Sequence, residues 1–266
     1  MKHALSIKDF MVNASITMLF LLGMSRFLGY LFHMAFARYF TQEIYGQFIY
    51  LWSAGLFLAS ITPNISAAVG RYIAFERGRE NNHNVEQIKN TGFILTIIMV
   101  IASSSLAVGL YLLDLIPKVD NLPAFAFIVL VSFFTISSNT LSQIITGYRR
   151  PDVSSAFNTL FNLFRFLAVV VAAYVLSTLF GALLYSVLGY SLFLVFLFFY
   201  VKAKYGLSIG FNFEKAKEIF SFGFYSLFQE TATTLLTWAN IFIINILLGA
   251  SYVAVYNIAW LSSTLS

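Results

Sequence analysis

Residues 25–79 read SRFLGYLFHMAFARYFTQEIYGQFIYLWSAGLFLASITPNISAAVGRYIAFERGR, and the rest of the chain is understood from them. The stretch holds an apolar run interrupted by Arg26 and His33, a short polar turn, a second apolar run and a basic exit. An arginine at the centre of a bilayer-crossing helix costs roughly 3 kcal/mol on insertion scales, so it ordinarily faces a bundle interior or a water-filled cavity. Arg26, Tyr30, His33 and Ala37 recur at helical spacing and share one face. Arg26 therefore has two readings, a cavity-lining cation or a pin bonded to backbone carbonyls or to a carboxylate of another helix.

Composition sets the solvent. The 266 residues are 59% apolar, 18% aromatic and only 10% charged, with a mean hydropathy of +0.82. Soluble domains carry about 25% charged residues, so this chain lacks the polar surface to dissolve. The expectation is an all-α polytopic membrane protein. Its 30 Phe and 15 Tyr suit lipid-facing surfaces and interfacial belts. The absence of cysteine excludes disulfides, thiolate metal sites and cysteine nucleophiles. The first apolar run is too long for the h-region of a cleavable signal peptide.

Windows of about 20 apolar residues predict seven spans and the start of an eighth: 10–37, 44–69, 91–113, 123–147, 154–176, 181–201, 219–248, and 252 onward. Basic residues alternate across them. Lys2, Lys8, Arg71, Arg77, Arg79, Lys89, Arg149, Arg150, Lys202, Lys204, Lys215 and Lys217 fall on one side. The other side has Arg38 and Lys118. The positive-inside rule then places the N-terminus and the even-numbered loops in the cytoplasm. The segment ERGRENNHNVEQIKN is expected to form a short amphipathic helix along the membrane, with His83 as a solvated residue. Residues 203–218, with Glu214 and Glu218 among Lys215 and Lys217, predict an amphipathic linker on the inner leaflet. This linker is the best domain boundary, between a lobe at 1–202 and a second region at 219–266.

Polar residues form stripes: Ser132, Thr135, Asn139, Ser142 and Thr146; Asn158, Asn162 and Arg165; Ser226, Glu230, Thr233, Thr237 and Asn240. Ser53, Ser60 and Asn64 accompany Pro63, which is expected to kink its span. Serine and threonine alone would read as helix packing. With Arg26, Arg165, Glu230 and the asparagines the stripes predict a hydrated cavity, cationic on balance and suited to an anionic group, since guanidinium forks match phosphate oxygens. Glu230 would pair with an arginine or carry a coupling proton or Na⁺. His33 would titrate if wet and stay neutral if packed. No nucleotide loop, metalloprotease motif or nucleophile elbow is present, so the chain is not expected to be an enzyme.

Four stretches, in order, carry a resemblance: ARYFTQEIYGQF; NISAAVGRYIAFERG; GYRRPDVSSAFNTLFNLFRF; and IFSFGFYSLFQETATTLLTWANIFIINILLGASYVAVYNIA. Together they resemble the polysaccharide-biosynthesis (O-antigen type) flippases of the multidrug/oligosaccharidyl-lipid/polysaccharide exporter superfamily. The resemblance implies two six-helix lobes around a central cavity, of which this chain supplies the first lobe and helix seven and part of eight of the second. A fragment of a protein of about 400–500 residues is the expectation. It further implies a polyprenyl-diphosphate-linked oligosaccharide as substrate, moved from the inner to the outer leaflet of the cell membrane by alternating access. Membrane lipids and other polysaccharide-assembly proteins are the implied partners, with H⁺ or Na⁺ coupling and no nucleic acid. Arg26 and Arg165 fall where the family places charges lining the cavity. His33, Asn64, Asn139, Asn158, Asn162, Thr237 and Asn240 are the expected polar lining. The chain departs from the family in lacking a proline after SFG and in placing its acid at Glu230 and not near Asn240. A multidrug exporter of the same superfamily, a membrane glycan polymerase or ligase, and a non-transporting scaffold are the competing readings.

Overall fold

The computed structural model describes residues 2–112 and 122–263, with side chains from residue 16 onward. Helices α1 (Lys2–Tyr39), α2 (Gln42–Ser60), α3 (Ile65–Gly78), α4 (Asn82–Leu112) and α5 (Leu122–Gly147) make up the first half. Helices α6 (Pro151–Val175), α7 (Leu179–Tyr205), α8 (Phe213–Leu248) and α9 (Ala250–Ser263) follow. No strand occurs among the described residues. The predicted loop carrying Lys118 lies outside them.

Local chemistry explains the starts and stops. Thr41 Oγ1 accepts from Ile44 N at 3.3 Å, Thr178 Oγ1 from Gly181 N at 3.2 Å, and Asn212 Oδ1 from Lys215 N at 3.1 Å. Each satisfies one of the orphan donors of a helix N-terminus. Pro151 opens α6, where its missing N–H costs nothing. Gly206, at φ 64°, ends α7 in the left-handed region that a side chain disfavours.

Six helices are long and apolar enough to cross a membrane, and α2 with α3 makes a seventh as one span bent by 54°. The seven predicted spans are thus present, and α9 begins the eighth. The bend falls at Pro63, as its sequence position predicts. Outward-facing Ile16, Leu19, Phe20, Ile101, Leu192 and Phe199 are all more than half exposed, an apolar coat that only lipid satisfies. The chain is a multi-pass membrane protein.

The two ends of the bundle are distinguishable. Tyr39 and Tyr174 meet at 5.9 Å between ring centroids at one end, where Gly46 also packs on the Ala250 backbone so closely that a Cβ would lie 1.7 Å from its carbonyl oxygen. At the other end Arg77 stacks over Tyr148 at 4.7 Å, and Tyr148 meets Tyr205 at 4.4 Å. Helix turns therefore alternate between ends as the basic residues predict.

Two buried clusters fill the interior. One is aromatic, around Phe32, Phe36, Tyr45, Phe48 and Phe127; the other is aliphatic, around Val69, Ile73, Ile88, Ile144 and Leu197. Polar packing ties α4 to α5 through Ser103–Ser132 at 2.6 Å and Thr96–Thr140 at 2.9 Å.

Two expectations are corrected. The segment after α3 is no membrane-lying helix: Glu80 turns the chain at φ 59°, and Asn81 Oδ1 caps α4 through Asn84 N at 3.2 Å. Glu76, nearly buried, accepts from Asn81 N and Asn84 Nδ2 and holds the turn closed. His83 is then an exposed residue of the first turn of α4, bonded to Gln87. Nor is 203–218 an amphipathic linker helix. It divides into the end of α7, a non-helical link at 206–212, and the first turns of α8, which run unbroken into the long apolar helix.

Candidate functional site at the bend of the broken span

The α2/α3 break leaves backbone groups that the helices cannot satisfy, and α8 satisfies them. Thr231 Oγ1 donates to Ser60 O at 2.8 Å, and Asn64 N donates to Gly223 O at 3.1 Å. Thr62 Oγ1 donates to Ala59 O at 2.7 Å. Gly223 permits the approach, since a Cβ there would stand 3.2 Å from the Asn64 backbone. Unsatisfied carbonyls in a membrane interior cost several kcal/mol each, so a broken helix persists only with such partners.

Asn64 is the junction. Its Oδ1 accepts from Ala67 N at 3.0 Å and from Ser66 Oγ at 2.6 Å, capping α3. Its Nδ2 donates to Glu230 Oε2 at 2.9 Å. The acceptor half of the amide starts a helix while the donor half holds a carboxylate on another.

Around this junction lies a cavity of about 260 Å³, lined by Ser60, Thr62, Asn64 and Ser66 of the broken span, Thr135, Asn139 and Thr140 of α5, and Glu230, Thr234 and Trp238 of α8. A second cavity of about 150 Å³ shares Leu56, Thr135 and Asn139 with it and adds Trp52, Ser138, Ser142, Asn158, Phe161 and Tyr190. The shared walls make one polar tract from α8 to α6. Among the described residues, Glu230 is the one carboxylate lining it, and no Lys or Arg does so.

The sequence-predicted residues divide into three groups. Asn64, Asn139, Asn158 and Glu230 are brought together on this tract. Arg165 sits behind it, its guanidinium 4.2 Å from the Phe32 ring, 4.9 Å from Trp52 and 5.6 Å from Phe161. Two of those rings, Trp52 and Phe161, are cavity walls, so the guanidinium is held against aromatic side chains of the lining. Asn162 joins Arg165 Nη1 (3.4 Å) to Ser25 Oγ (2.8 Å) across the α1–α6 seam. Arg26 is exposed on α1 beside Ser25 and lines no described cavity.

His33, Thr237 and Asn240 are placed elsewhere. His33 Nδ1 meets Tyr45 Oη at 2.9 Å and Asn257 Nδ2 at 3.4 Å, and Asn257 Nδ2 donates to Tyr45 Oη at 2.6 Å. That knot ties α1, α2 and α9; the buried Tyr45 and Asn257 draw the imidazole into packing and away from the cavity. Thr237 Oγ1 turns back to Thr233 O, and Asn240 Nδ2 donates to Tyr256 Oη. Neither lines the tract: Thr237 lies on α8 between Thr234 and Trp238 without joining the cavity wall, and Asn240 follows Trp238.

Sequence reasoning missed Thr62, Ser66, Thr234, Trp238 and Tyr190. Proline at 63 was the available signal for the first two, because a broken helix exposes the residues on both sides of its break. No group of three or more His, Cys, Asp or Glu among the described residues can hold a metal ion.

A family model described as polysaccharide biosynthesis protein matches residues 12–262. A search of curated proteins finds no match. Among solved structures, an inward-facing multidrug resistance MATE family transporter of the MOP superfamily superposes with a TM-score of 0.67 at 17% identity, covering 94% of this chain and 61% of that one. An outward-facing structure of such a transporter gives 0.63 at 14% identity, covering 96% and 59%. A MOP superfamily transporter from Pyrococcus furiosus, described as having a binding pocket of reverse polarity, gives 0.64 at 14% identity with the same coverage. The chain thus has the transporter fold and spans about 60% of the length of the structures it matches.

Proposed function

The chain belongs to the polysaccharide biosynthesis protein family, and on that premise we propose that it forms the first lobe, and the start of the second, of a flippase for lipid-diphosphate-linked oligosaccharide. The observation that carries this reading is the polar tract at the bent span, enclosed between α5, α6 and α8. A protein whose helices only packed would have no use for a broken span held open by side chains of another helix.

In this reading the N-terminus is cytoplasmic and the protein lies in the cell membrane. The contact of Gly46 with Ala250 and the His33–Tyr45–Asn257 knot close the outer end. Alternating access separates α2 from α9 there and exposes the tract to the outer leaflet. The diphosphate is met on the α1–α6 side by Arg26, exposed, and by Arg165, which reaches it when Trp52 or Phe161 moves. Glu230, hydrogen-bonded to Asn64 at the bend, is the group placed to carry H⁺ or Na⁺; its charge state then biases the Asn64 bond that joins α8 to the broken span.

The test is complementation of a flippase-deficient strain with the full-length gene, comparing wild type with Arg26→Ala and Arg165→Ala at matched membrane abundance. Wild type is expected to restore surface polysaccharide, and each alanine variant to fall at least tenfold short. If both variants match wild type, the arginines are structural and the anionic-substrate reading fails. One observation favours a second reading, an ion-coupled multidrug exporter: the single charged residue lining the tract is the acid Glu230. Resistance to organic cations conferred by wild type and lost in Glu230→Gln, with no restored polysaccharide, would establish that reading instead.

A further inference from the structure

The link between α7 and α8 has two chemically different edges. Its even-numbered residues face α4. Asn90 Nδ2 donates to Ser208 Oγ at 2.7 Å, and Ser208 N returns a bond to Asn90 Oδ1 at 3.1 Å. Asn212 N donates to Thr91 Oγ1 at 3.0 Å, and Asn212 Nδ2 to Gln87 Oε1 at 3.2 Å. Lys89, 2% exposed, closes the upstream side by donating from Nζ to Tyr205 O at 2.6 Å. The link is thereby strapped to α4.

Three apolar side chains here stay exposed, with Phe211 beside a cleft it shares with His83, Glu86 and Gln87 of α4. Ile209 is 93% exposed, Phe211 53% and Phe213 77%. Leu207 packs on the aliphatic cluster, whereas Ile209 and Phe211 of the link and Phe213, the first residue of α8, keep apolar surface uncovered. Ile209, Phe211 and Phe213 form an apolar edge held in place by five hydrogen bonds to α4.

Two features say what covers that edge. A link of seven residues, 206–212, joins two helices each long and apolar enough to cross a membrane, so it turns the chain back on the side where they end. Exposed Lys202, Lys204 and Lys217 flank it, and basic residues at that depth attract anionic headgroups. Apolar residues inserted to the headgroup–acyl boundary among lysines are the signature of interfacial anchoring.

We propose that the 206–213 strap is an interfacial membrane anchor, with Ile209, Phe211 and Phe213 seated at the headgroup–acyl boundary of an anionic leaflet. It fixes the depth at which α8 enters the bilayer, and it does so through the bonds to α4. This assignment stands apart from the substrate reading, because the strap is separated along α8 from the cavity residues Glu230, Thr234 and Trp238 and requires no transport.

This chain's lack of cysteine makes a direct test available. Full-length protein, with any cysteine outside this chain replaced, carries Ile209→Cys labelled with an environment-sensitive fluorophore. It is reconstituted in phosphatidylcholine vesicles with and without phosphatidylglycerol. The expected result is blue-shifted emission, quenching by shallow spin-labelled lipids, protection from aqueous iodide, and stronger lipid quenching when phosphatidylglycerol is present. Quenching by iodide and not by lipid overturns the proposal, since the edge then faces water. Resistance to both quenchers also overturns it, because protein then covers the edge. Equal lipid quenching with and without phosphatidylglycerol overturns the preference for an anionic leaflet.

Discussion

Asn64→Ala removes two functions of one amide, and their sizes follow from the structure. The cap on Ala67 N is worth about 1 kcal/mol. The hydrogen bond to Glu230 is charge-assisted, which would place it near 2 kcal/mol if fully buried, but both groups border a cavity and the value falls to about 1 kcal/mol. The total expected loss is about 2 kcal/mol. Asn64→Asp separates the parts: it keeps the capping oxygen, discards the donor and sets a second carboxylate against Glu230. It is therefore expected to be no more stable than Asn64→Ala despite its intact cap, and to recover when Glu230→Gln is added. The assay is reversible unfolding of the purified full-length protein in detergent, run as a double-mutant cycle with Asn64→Ala and Glu230→Ala. A coupling of about 1 kcal/mol is expected. Additivity within about 0.3 kcal/mol would refute the reasoning, because the bend and α8 would then not be joined through this bond.

Four other outcomes are expected. Gly46→Val cannot be accommodated against the Ala250 carbonyl, so it should force α2 from α9, and a cysteine pair placed there should lose its cross-linking while membrane insertion persists. Tyr45→Phe takes the acceptor from the buried Asn257 amide and should cost about 1–3 kcal/mol in thermal unfolding, whereas Tyr256→Phe at the exposed Asn240 bond should cost well under 1 kcal/mol. Arg165→Met retains the aliphatic packing but loses stacking on Phe32 and Trp52; Lys in its place lacks the planar face, so Arg165→Lys should resemble Arg165→Met in stability and not wild type. Lys89→Met leaves the Tyr205 carbonyl without its donor and should raise proteolytic cleavage at 206–212 in inside-out vesicles.

The fold was readable because a membrane imposes coarse, strong rules. Span length, alternation of basic residues and Pro63 together foretold seven spans, their order and the bend. The site was readable only where its residues lie on one helix face. Asn139, Asn158 and Glu230 announced themselves as stripe members, and the cavity lies between their stripes. The His33 knot did not, since its partner Asn257 stands 224 positions away and nothing in the run around either residue specifies the other. The strap was misread for a related reason. Gln87, Asn90 and Thr91 read as part of a polar membrane-surface segment, and their partners, Ser208 and Asn212, lie about 120 positions downstream. Arg165 shows the limit of charge counting: a cation in a stripe can be held on aromatic rings and not itself be a cavity wall.

Breaking a span in mid-membrane also redistributes charge without adding any. The carboxyl end of α2 and the amino end of α3 meet at residues 61–64, and each helix end behaves as about half an elementary charge, negative for the former and positive for the latter. The cavity therefore opens onto two opposed partial charges a few residues apart, with Glu230 bonded beside the positive one. A dipolar headgroup or a hydrated ion entering there finds fixed poles already oriented, and the single carboxylate decides which pole dominates. With the two helix ends at about half a charge each and opposite in sign, the Glu230 carboxylate outweighs the positive end beside it and leaves the fixed charge of the cavity negative without any side chain changing place.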